Sequence, residues 1–233
     1  TGGHLASNLG AVELTVALHR VFDTSVDRLV FDVGHQCYAH KLLTGRTLST
    51  LRQYGGVAGF PKPAESPHDA FIAGHASNSV EVALGMARAR TMLGEDYKVI
   101  ALIGDGALTG GLAYEGLSNA GECGRQILVI LNDNGMSITP NVGGVAEHLA
   151  KQRLKPQYLT FKKHYRRIMN ATAPGRAVYR GTHQVKQALK QSLLPCSMFE
   201  NMGFRYLGPV DGHNLPFLTK ILRYAKDIDE PVL

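Results

Sequence analysis

The sequence predicts an α/β domain with a mostly parallel sheet that is flanked by helices on both faces. Short apolar runs of strand length alternate with stretches in which apolar residues recur at helical spacing, and this alternation is typical of a parallel sheet covered by helices. With 233 residues, 44% of them hydrophobic, the chain is also long enough to bury a full core. We expect residues 1–233 to form a single domain.

The elements follow in order along the chain. Strands are predicted near residues 28–33, 70–73, 98–103, 126–131 and 205–208, and again from residue 231. Helices are predicted over 9–22, 77–93 and 109–120 and around 185–194. Residues 146–195 interrupt the alternation, because they are basic and contain Pro156 and Pro174-Gly175. We interpret this stretch as a basic insertion in the same domain.

The net charge of +6 and the pI near 9.3 raise the question of a nucleic-acid partner. The basic residues cluster mainly in the insertion, at Lys151, Arg153, Lys155, Lys162, Lys163, Arg166 and Arg167. No helix-turn-helix, zinc-finger or RNA-binding signature accompanies them, so we predict no nucleic-acid partner. The cluster is either a solvated surface or one that attracts anionic, phosphorylated ligands.

Apolar runs and cysteines limit the compartment. The longest uncharged apolar runs, 99–103 and 127–131, fall far short of the roughly 20 residues of a membrane helix, so no membrane span is expected. Cys37, Cys123 and Cys196 are widely separated, which indicates neither a disulfide framework nor a structural zinc site. This usage favours a bacterial cytoplasm or a plastid stroma.

Polar residues and glycines follow four of the predicted strands. These segments are Gly34-His35-Gln36, Gly74-His75-Ala76-Ser77, Gly104-Asp105-Gly106-Ala107 and Asn132-Asp133-Asn134. In open α/β sheets, ligands bind beyond the carboxyl ends of the strands. The sequence therefore places its candidate site at this edge of the sheet.

Two of these segments together predict a magnesium site. Asp105 offers a carboxylate between two glycines that permit a tight turn, and Asn134 offers an amide oxygen one strand later. A backbone carbonyl near Met136 and the oxygens of a diphosphate would complete the oxygen shell that Mg²⁺ prefers. The alternative is a pair of structural turns.

The segment from Gly104-Asp105-Gly106 through 25 residues to Asn132-Asp133-Asn134 resembles the motif of thiamine-diphosphate enzymes. Other segments are similar to the 1-deoxy-D-xylulose-5-phosphate synthase family within that superfamily, and the matches extend over nearly the whole chain. They are TGGHLASNLG at 1–10, ELTVALH at 13–19, FDVGHQ at 31–36, HKLLTGR at 40–46, GHASNS at 74–79 and GPVDGH at 208–213. Transketolases share the architecture and some of the motifs.

The resemblance implies a site that holds thiamine diphosphate and Mg²⁺. Asp105 and Asn134, with the carbonyl near Met136, would ligate the metal ion. Gly106 and Ala107 would place backbone amides against the diphosphate. The turn formed by Gly74, His75 and Ala76 would also face the cofactor, ahead of a helix beginning at Ser77; alternatively, Ser77 is an ordinary N-cap.

The resemblance also implies that His35 and His4 are the active-site histidines, with His35 near the cofactor as well. Imidazoles there could donate to a developing oxyanion, orient a carboxylate or move protons. His213 stays outside this set, because Asp211 or Asn214 fits turn or cap chemistry. Cys37, beside His35, is interpreted as a packing residue rather than a nucleophile.

The implied activity is a transferase reaction that joins pyruvate, with loss of CO₂, to glyceraldehyde 3-phosphate, in a homodimer. The family is expected to have later domains, absent here, so we expect the isolated chain to be inactive. A transketolase, or one subunit of a split thiamine-diphosphate enzyme, is the alternative. A dinucleotide-binding module is less consistent with the sequence, because no GxGxxG follows the first predicted strand.

Overall fold

The helices and strands of the chain are taken from a computed structural model that describes residues 3–133 and 197–233. The helices are α1 (Leu5–Leu9), α2 (Val12–Val21), α3 (Tyr38–Leu43), α4 (Ser79–Leu93), α5 (Gly111–Cys123), α6 (Ser197–Asn201) and α7 (Leu215–Lys226). The strands are β1 (Arg28–Phe31), β2 (Val99–Gly104) and β3 (Leu128–Asn132), and a 3₁₀ turn (Ala107–Thr109) precedes α5. Residues 3–133 and 199–233 pack into one compact unit.

The three strands form a parallel sheet in the order β1-β2-β3. Arg28 pairs with Val99 at the beginning of β1, and Gly104 pairs with Asn132 at the ends of β2 and β3. Val232 adds isolated parallel bridges beyond β3, to Leu128 and to Arg205. Because β2 and β3 end at the same level, the residues that follow them begin side by side.

β2 is the central strand of the sheet, and both of its faces are covered. Its first five residues are all buried, as expected for a strand between two helical layers. Ile100 and Leu102 pack in one cluster with residues of α2 and α7. Successive side chains of a strand point to opposite faces, so Ala101 and Ile103 face the other layer, where α4 contacts both β1 and β2.

The helix ends follow ordinary capping chemistry. α4 and α5 each end at a glycine with positive φ, Gly94 at 68° and Gly124 at 59°, a conformation that glycine adopts without strain. Asn214 caps α7, since its side-chain oxygen accepts a hydrogen bond from the Phe217 N–H at 3.1 Å. The Asp211 carboxylate accepts from the His213 N–H at 3.0 Å, which confirms both residues as turn and cap residues.

Most of the predicted elements in the described residues are confirmed. The predicted strands near 28–33, 98–103 and 126–131 are β1, β2 and β3, and the segments 205–208 and 231–233 pair through bridges and backbone hydrogen bonds. The predicted helix 9–22 is α2, which begins three residues later, and the short helix α1 before it was not predicted. The helix predicted from 77 is α4, which begins two residues later.

The predicted strand 70–73 is wrong. That segment is irregular, and Ile72 is 67% exposed, so the apolar run is not part of the sheet. Its neighbour His75 is tied to the end of β1 by one backbone hydrogen bond, in which the Val33 N–H donates to the His75 carbonyl at 3.2 Å. A run of four residues is too short for its apolar character to separate a strand from a loop.

Several predictions fall on residues 134–196, which lie outside the described residues. They are the basic insertion at 146–195 and the helix around 185–194, and the prediction of a single domain over the whole chain depends on the same residues. These remain predictions. No helix in residues 3–133 or 197–233 has the length and apolar character needed to cross a membrane.

Candidate functional site

The end of β1 makes a sharp turn just before His35. Val33 and Gly34 both have positive φ, 57° and 88°, and a β-branched residue rarely adopts this conformation. A Cβ on Gly34 would lie 2.6 Å from Cδ of Pro61 and 2.9 Å from Cβ of Ala73, so only glycine fits there. The turn brings His35 out directly beyond the sheet.

His35 lies against the second predicted catalytic histidine. The rings of His4 and His35 meet edge to face, with centroids 5.1 Å apart and an interplanar angle of 72°. Burial lowers the pKa of His35, the neighbouring His4 lowers it further, and Asp32 opposes both effects. The lowered pKa favours the neutral form of the His35 imidazole. Its Nδ1 is buried without a hydrogen-bond partner, whereas His4 is exposed.

One buried amide holds the backbone around both histidines. The Asn8 side chain, on α1, donates to the carbonyl oxygens of His4 at 2.7 Å and His35 at 2.8 Å, and accepts from the Tyr38 N–H at 2.8 Å. Sequence reasoning did not find Asn8. The sequence carries no signal for it, because Asn8 follows another polar residue, Ser7, and its partner His35 is 27 residues away.

Asp32 joins the end of β1 to the beginning of α4. Its carboxylate, 1% exposed, accepts from the N–H groups of Ser77 at 2.8 Å and Ser79 at 3.0 Å. The sequence predicts that this helix N-terminus attracts a cofactor anion. This physical reason is wrong, because the N–H groups of Ser77 and Ser79 already donate to the carboxylate of Asp32. Gly74, His75 and Ala76 remain exposed ahead of them.

Ser77 connects the 74–77 turn to the 104–107 turn. Its backbone has a φ of 74°, and its hydroxyl donates to the Ala107 carbonyl at 2.6 Å. Ser77 is thus not an N-cap, and that alternative is wrong; Asn78 occupies the N-cap position of α4 without a side-chain hydrogen bond. A Cβ on Gly110 would lie only 2.2 Å from the Ser77 hydroxyl, so the link requires glycine there.

The residues after β2 carry the predicted metal ligand. Asp105 is 4% exposed, and its backbone N–H donates to the Asn132 carbonyl of β3 at 3.3 Å. Gly106 and Ala107 are half-buried. Downstream, α5 begins without a side-chain cap and without an acidic residue in its first turn, unlike the acid-capped α4. Such an N-terminus can accept an anion.

Asn134 and Met136 lie outside the described residues, so their place in the site remains a prediction. Within residues 3–133 and 197–233, no group of three or more His, Cys, Asp or Glu side chains is arranged to hold a metal ion. We refer to His35, the 74–77 turn and the 104–107 turn as the strand-end site.

A second polar cluster lies beside the strand-end site. This ion network consists of His40, Lys41, Arg46, Glu65 and Asp69. Asp69 accepts from Arg46 at 2.6 and 2.8 Å and lies 2.9 Å from Nε2 of His40, and the fully buried Lys41 donates to Glu65 at 2.7 Å. Burial acts to raise the pKa of Asp69, but the hydrogen bonds from His40 and Arg46 outweigh it and hold the pKa below its usual range.

The ion network fixes the loop that packs behind His35. Asp69 accepts from the Lys62 N–H at 2.7 Å and Glu65 from the Ala58 N–H at 2.8 Å, which ties down the segment that carries Pro61. Pro61 in turn packs against Gly34. Cys37 is fully buried next to this loop, and burial raises the pKa of its thiol to about 12, which confirms a packing role.

Comparison with known proteins decides the family. The whole chain, residues 1–233, matches the family described as 1-deoxy-D-xylulose-5-phosphate synthase. The chain belongs to this family. It is 51% identical to 1-deoxy-D-xylulose-5-phosphate synthases of Pelotomaculum thermopropionicum and Clostridium tetani, over 100% of the chain in both cases. It spans 37% and 38% of the length of these synthases.

Solved structures of transketolases share the fold. A transketolase mutant from Pichia stipitis covers 96% of the chain with a TM-score of 0.62 and 18% identity, and the match spans 31% of that protein. The transketolase of Leishmania mexicana covers 90% with a TM-score of 0.55 and 23% identity, over 28% of its length. The predicted fold class, an α/β thiamine-diphosphate-binding fold, is confirmed.

Proposed function

We propose that this chain is the part of a 1-deoxy-D-xylulose-5-phosphate synthase that binds the diphosphate of thiamine diphosphate together with Mg²⁺. The full-length protein then condenses pyruvate, with decarboxylation, and glyceraldehyde 3-phosphate to 1-deoxy-D-xylulose 5-phosphate. The observation that carries the proposal is the pairing of Gly104 with Asn132, which sets Asp105 beside the end of β3 in a chain of this family. Family membership supports the choice of substrates.

The residues present fit the metal ion and the diphosphate. Asp105 supplies a hard carboxylate oxygen, and Asn134 with the carbonyl of Met136 would supply two more oxygens two to four residues beyond β3. Gly106 and Ala107 offer backbone amides ahead of α5, whose N-terminus has no acidic side chain of its own. The exposed turn of Gly74, His75 and Ala76 is held next to them through Ser77.

His35 and His4 would contact the bound ligand and exchange protons with it. A neutral imidazole can either donate or accept a proton, and burial together with His4 lowers the pKa of His35 and so favours that form. The orphan Nδ1 of His35 is a buried polar atom that a bound ligand could satisfy. His4 is exposed at the edge of the same pair and can reach a ligand from the solvent side.

When bound, thiamine diphosphate supplies the electron sink for decarboxylation. The chain's own residues anchor the diphosphate, orient the ligand and hold protons near it. We also propose a homodimer for the full-length protein, and a bacterial cytoplasm or plastid stroma as its location. The family resemblance supports the dimer, and the absence of paired cysteine spacing supports the compartment.

Turnover by the full-length protein tests this function. Pyruvate and glyceraldehyde 3-phosphate are supplied with thiamine diphosphate and Mg²⁺, and CO₂ release and the sugar phosphate product are measured together. We expect equal amounts of CO₂ and product, and loss of both when Mg²⁺ is chelated. A ketose phosphate supplied in place of pyruvate is the control for transketolase activity. Turnover with the ketose phosphate but not with pyruvate would contradict the proposal.

A further inference from the structure

We propose that Asn8 is the positioning residue that holds His4 and His35 together as a pair. The Asn8 side chain is 6% exposed, and all three of its hydrogen bonds go to backbone atoms. It contacts the carbonyl groups of the two histidine residues, which lie 4 residues before and 27 residues after it. Their functional importance rests on the function proposed above.

The geometry depends on a property of the amide group. A side-chain NH₂ has two hydrogens in one plane, and Asn8 donates to both carbonyls, so a single rigid group sets the separation of the two backbones. Oδ1 is fixed by the Tyr38 N–H at the beginning of α3. The other hydrogen bond from His4 to this segment, from its N–H to Tyr38 Oη, is long at 3.4 Å and therefore weak.

Other side chains of similar size cannot reproduce this arrangement. An aspartate has no N–H and would direct a carboxylate at two carbonyl oxygens, whereas a serine has one hydrogen and can satisfy only one carbonyl. An alanine or leucine would suit a buried helical position better than asparagine does, as far as helix propensity and burial are concerned. The amide is thus explained by the two carbonyls it binds rather than by helix stability.

The test compares Asn8→Ala and Asn8→Ser with wild type in the full-length protein. Thr15→Val is the matched control, because Thr15 is also buried and its hydroxyl donates to a backbone carbonyl four residues earlier, that of Ala11 at 2.6 Å, on the neighbouring helix α2. This hydroxyl bond stays within residues 11–15 and joins neither histidine segment. Four quantities are measured: kcat for pyruvate, KM for pyruvate, the affinity for thiamine diphosphate, and the hydrogen–deuterium exchange rate at the imidazole C2 of His4 and His35 without substrate.

We expect Asn8→Ala to lower kcat about ten- to hundredfold, because small misplacements of catalytic groups have effects of this size. Asn8→Ser should have an intermediate effect, and the affinity for thiamine diphosphate should stay unchanged, because the Asp105 side of the site is intact. His35 should exchange faster in both variants. Thr15→Val should leave kcat and both exchange rates unchanged even where the melting temperature falls.

Unchanged exchange rates in folded Asn8→Ala would overturn the proposal, and so would an equal change in Thr15→Val. If neither Asn8 variant folds, Asn8 is a residue of the folding core and the proposal is wrong. Faster exchange with unchanged kcat would support the positioning role and contradict the catalytic role of the histidines. The two proposals can therefore fail separately.

Discussion

The strand-end site and the ion network lie next to each other, and the polar atoms in and around them differ in how fully they are bonded within the chain. In the ion network, both Asp69 oxygens and the Lys41 ammonium have hydrogen-bond partners within the chain. Among the described residues of the network, Nε of Arg46 is the only buried side-chain nitrogen or oxygen without a partner. In the strand-end site, Nδ1 of His35 is buried without a partner, and so are two polar atoms directly next to the site, Oε1 of Gln36 and Oγ of Ser79.

This difference separates a stabilising cluster from a binding site. Buried charges that bind each other rigidify a loop and have little left to offer a ligand. Buried polar atoms without partners within the chain are costly, and a ligand, an ion or a water molecule can supply the missing partner. The strained backbone at Val33 and the required glycines Gly34 and Gly110 also lie next to the strand-end site rather than in the ion network.

The largest effect on stability is expected from Asp69→Ala. Removing this carboxylate leaves His40 and Arg46 without their hydrogen-bond acceptor, and leaves Glu65 as the remaining counter-charge of Lys41 and Arg46 in the ion network, so the free energy of unfolding should fall by about 3–5 kcal/mol. Urea unfolding of the full-length protein measures this. Asp96→Ala is the control, because Asp96 forms an exposed ion pair with Lys98 at 3.4 Å that should contribute less than about 1 kcal/mol.

Asp69→Ala also tests whether the ion network and the strand-end site have separate roles. Magnesium-dependent binding of thiamine diphosphate by the folded fraction of Asp69→Ala should remain close to that of wild type. A loss of binding as large as that caused by a change at Asp105 would mean that the two regions are not separable.

A smaller effect is expected from Gly110→Ala. The added Cβ collides with the Ser77 hydroxyl, so the link to Ala107 should break, with a loss of about 2 kcal/mol of stability and about tenfold in cofactor affinity. Gly111→Ala is the control, because a Cβ there meets no atom within 4 Å. Thermal unfolding and calorimetric titration measure the two effects.

The double variant Ser77→Gly/Gly110→Ala separates strain from linkage. Glycine removes the clashing hydroxyl and suits the positive φ at this position, so stability should return, but affinity should stay low because the hydroxyl link is absent. Recovery of affinity along with stability would show that the link between the two turns has no role in binding.

The smallest effect is a pH dependence that arises from His19 beside the ion network. Burial and the neighbouring His40 lower the pKa of His19 to about 4, from an ordinary value of 6.5. The unfolded chain binds the proton of His19 more readily than the folded chain does. The folded state therefore has its full stability above pH 6.5, and the free energy of unfolding falls as the pH is lowered from 6.5 to 4. We expect a loss of about 1–2 kcal/mol over this range after allowance for partial exposure.

His19→Gln tests this, because its amide can still donate to Nδ1 of His40, which lies 2.9 Å from the His19 ring. The variant should show a shallower fall in melting temperature between pH 6.5 and 4. The lowered pKa of Asp69 acts at a lower pH, below its ordinary value of 3.8, so it does not confuse the comparison. Equal slopes in wild type and variant would count against the assignment.

Sequence patterns predicted the features that depend on local order. β2 was predicted because it is a continuous apolar run between glycine and polar residues, and the Asp105 turn was predicted because it follows that run. The short helix α3 was not predicted, since six residues are too few to show a period. The segment 70–73 was mistaken for a strand for the same reason.

The contacts that join the site were beyond sequence reasoning. Asn8 reaches His35 across 27 residues, Asp32 reaches Ser79 across 47, and Ser77 reaches Ala107 across 30. Each is a side chain bound to a distant backbone atom, and such a bond leaves no periodic pattern in the sequence. The ion network likewise joins residues on α3 to a loop more than 20 positions away.

The central claim is that Asp105 and Asn134 share one Mg²⁺ with the diphosphate of the cofactor. Calorimetric titration of thiamine diphosphate into the full-length protein, with and without Mg²⁺, tests it with Asp105→Ala, Asn134→Ala and the double variant. Each single variant should lower the magnesium-dependent affinity by at least about tenfold, and the double variant should be no weaker than the worse single one. Fully additive losses, or wild-type affinity in Asn134→Ala, would contradict a shared ion.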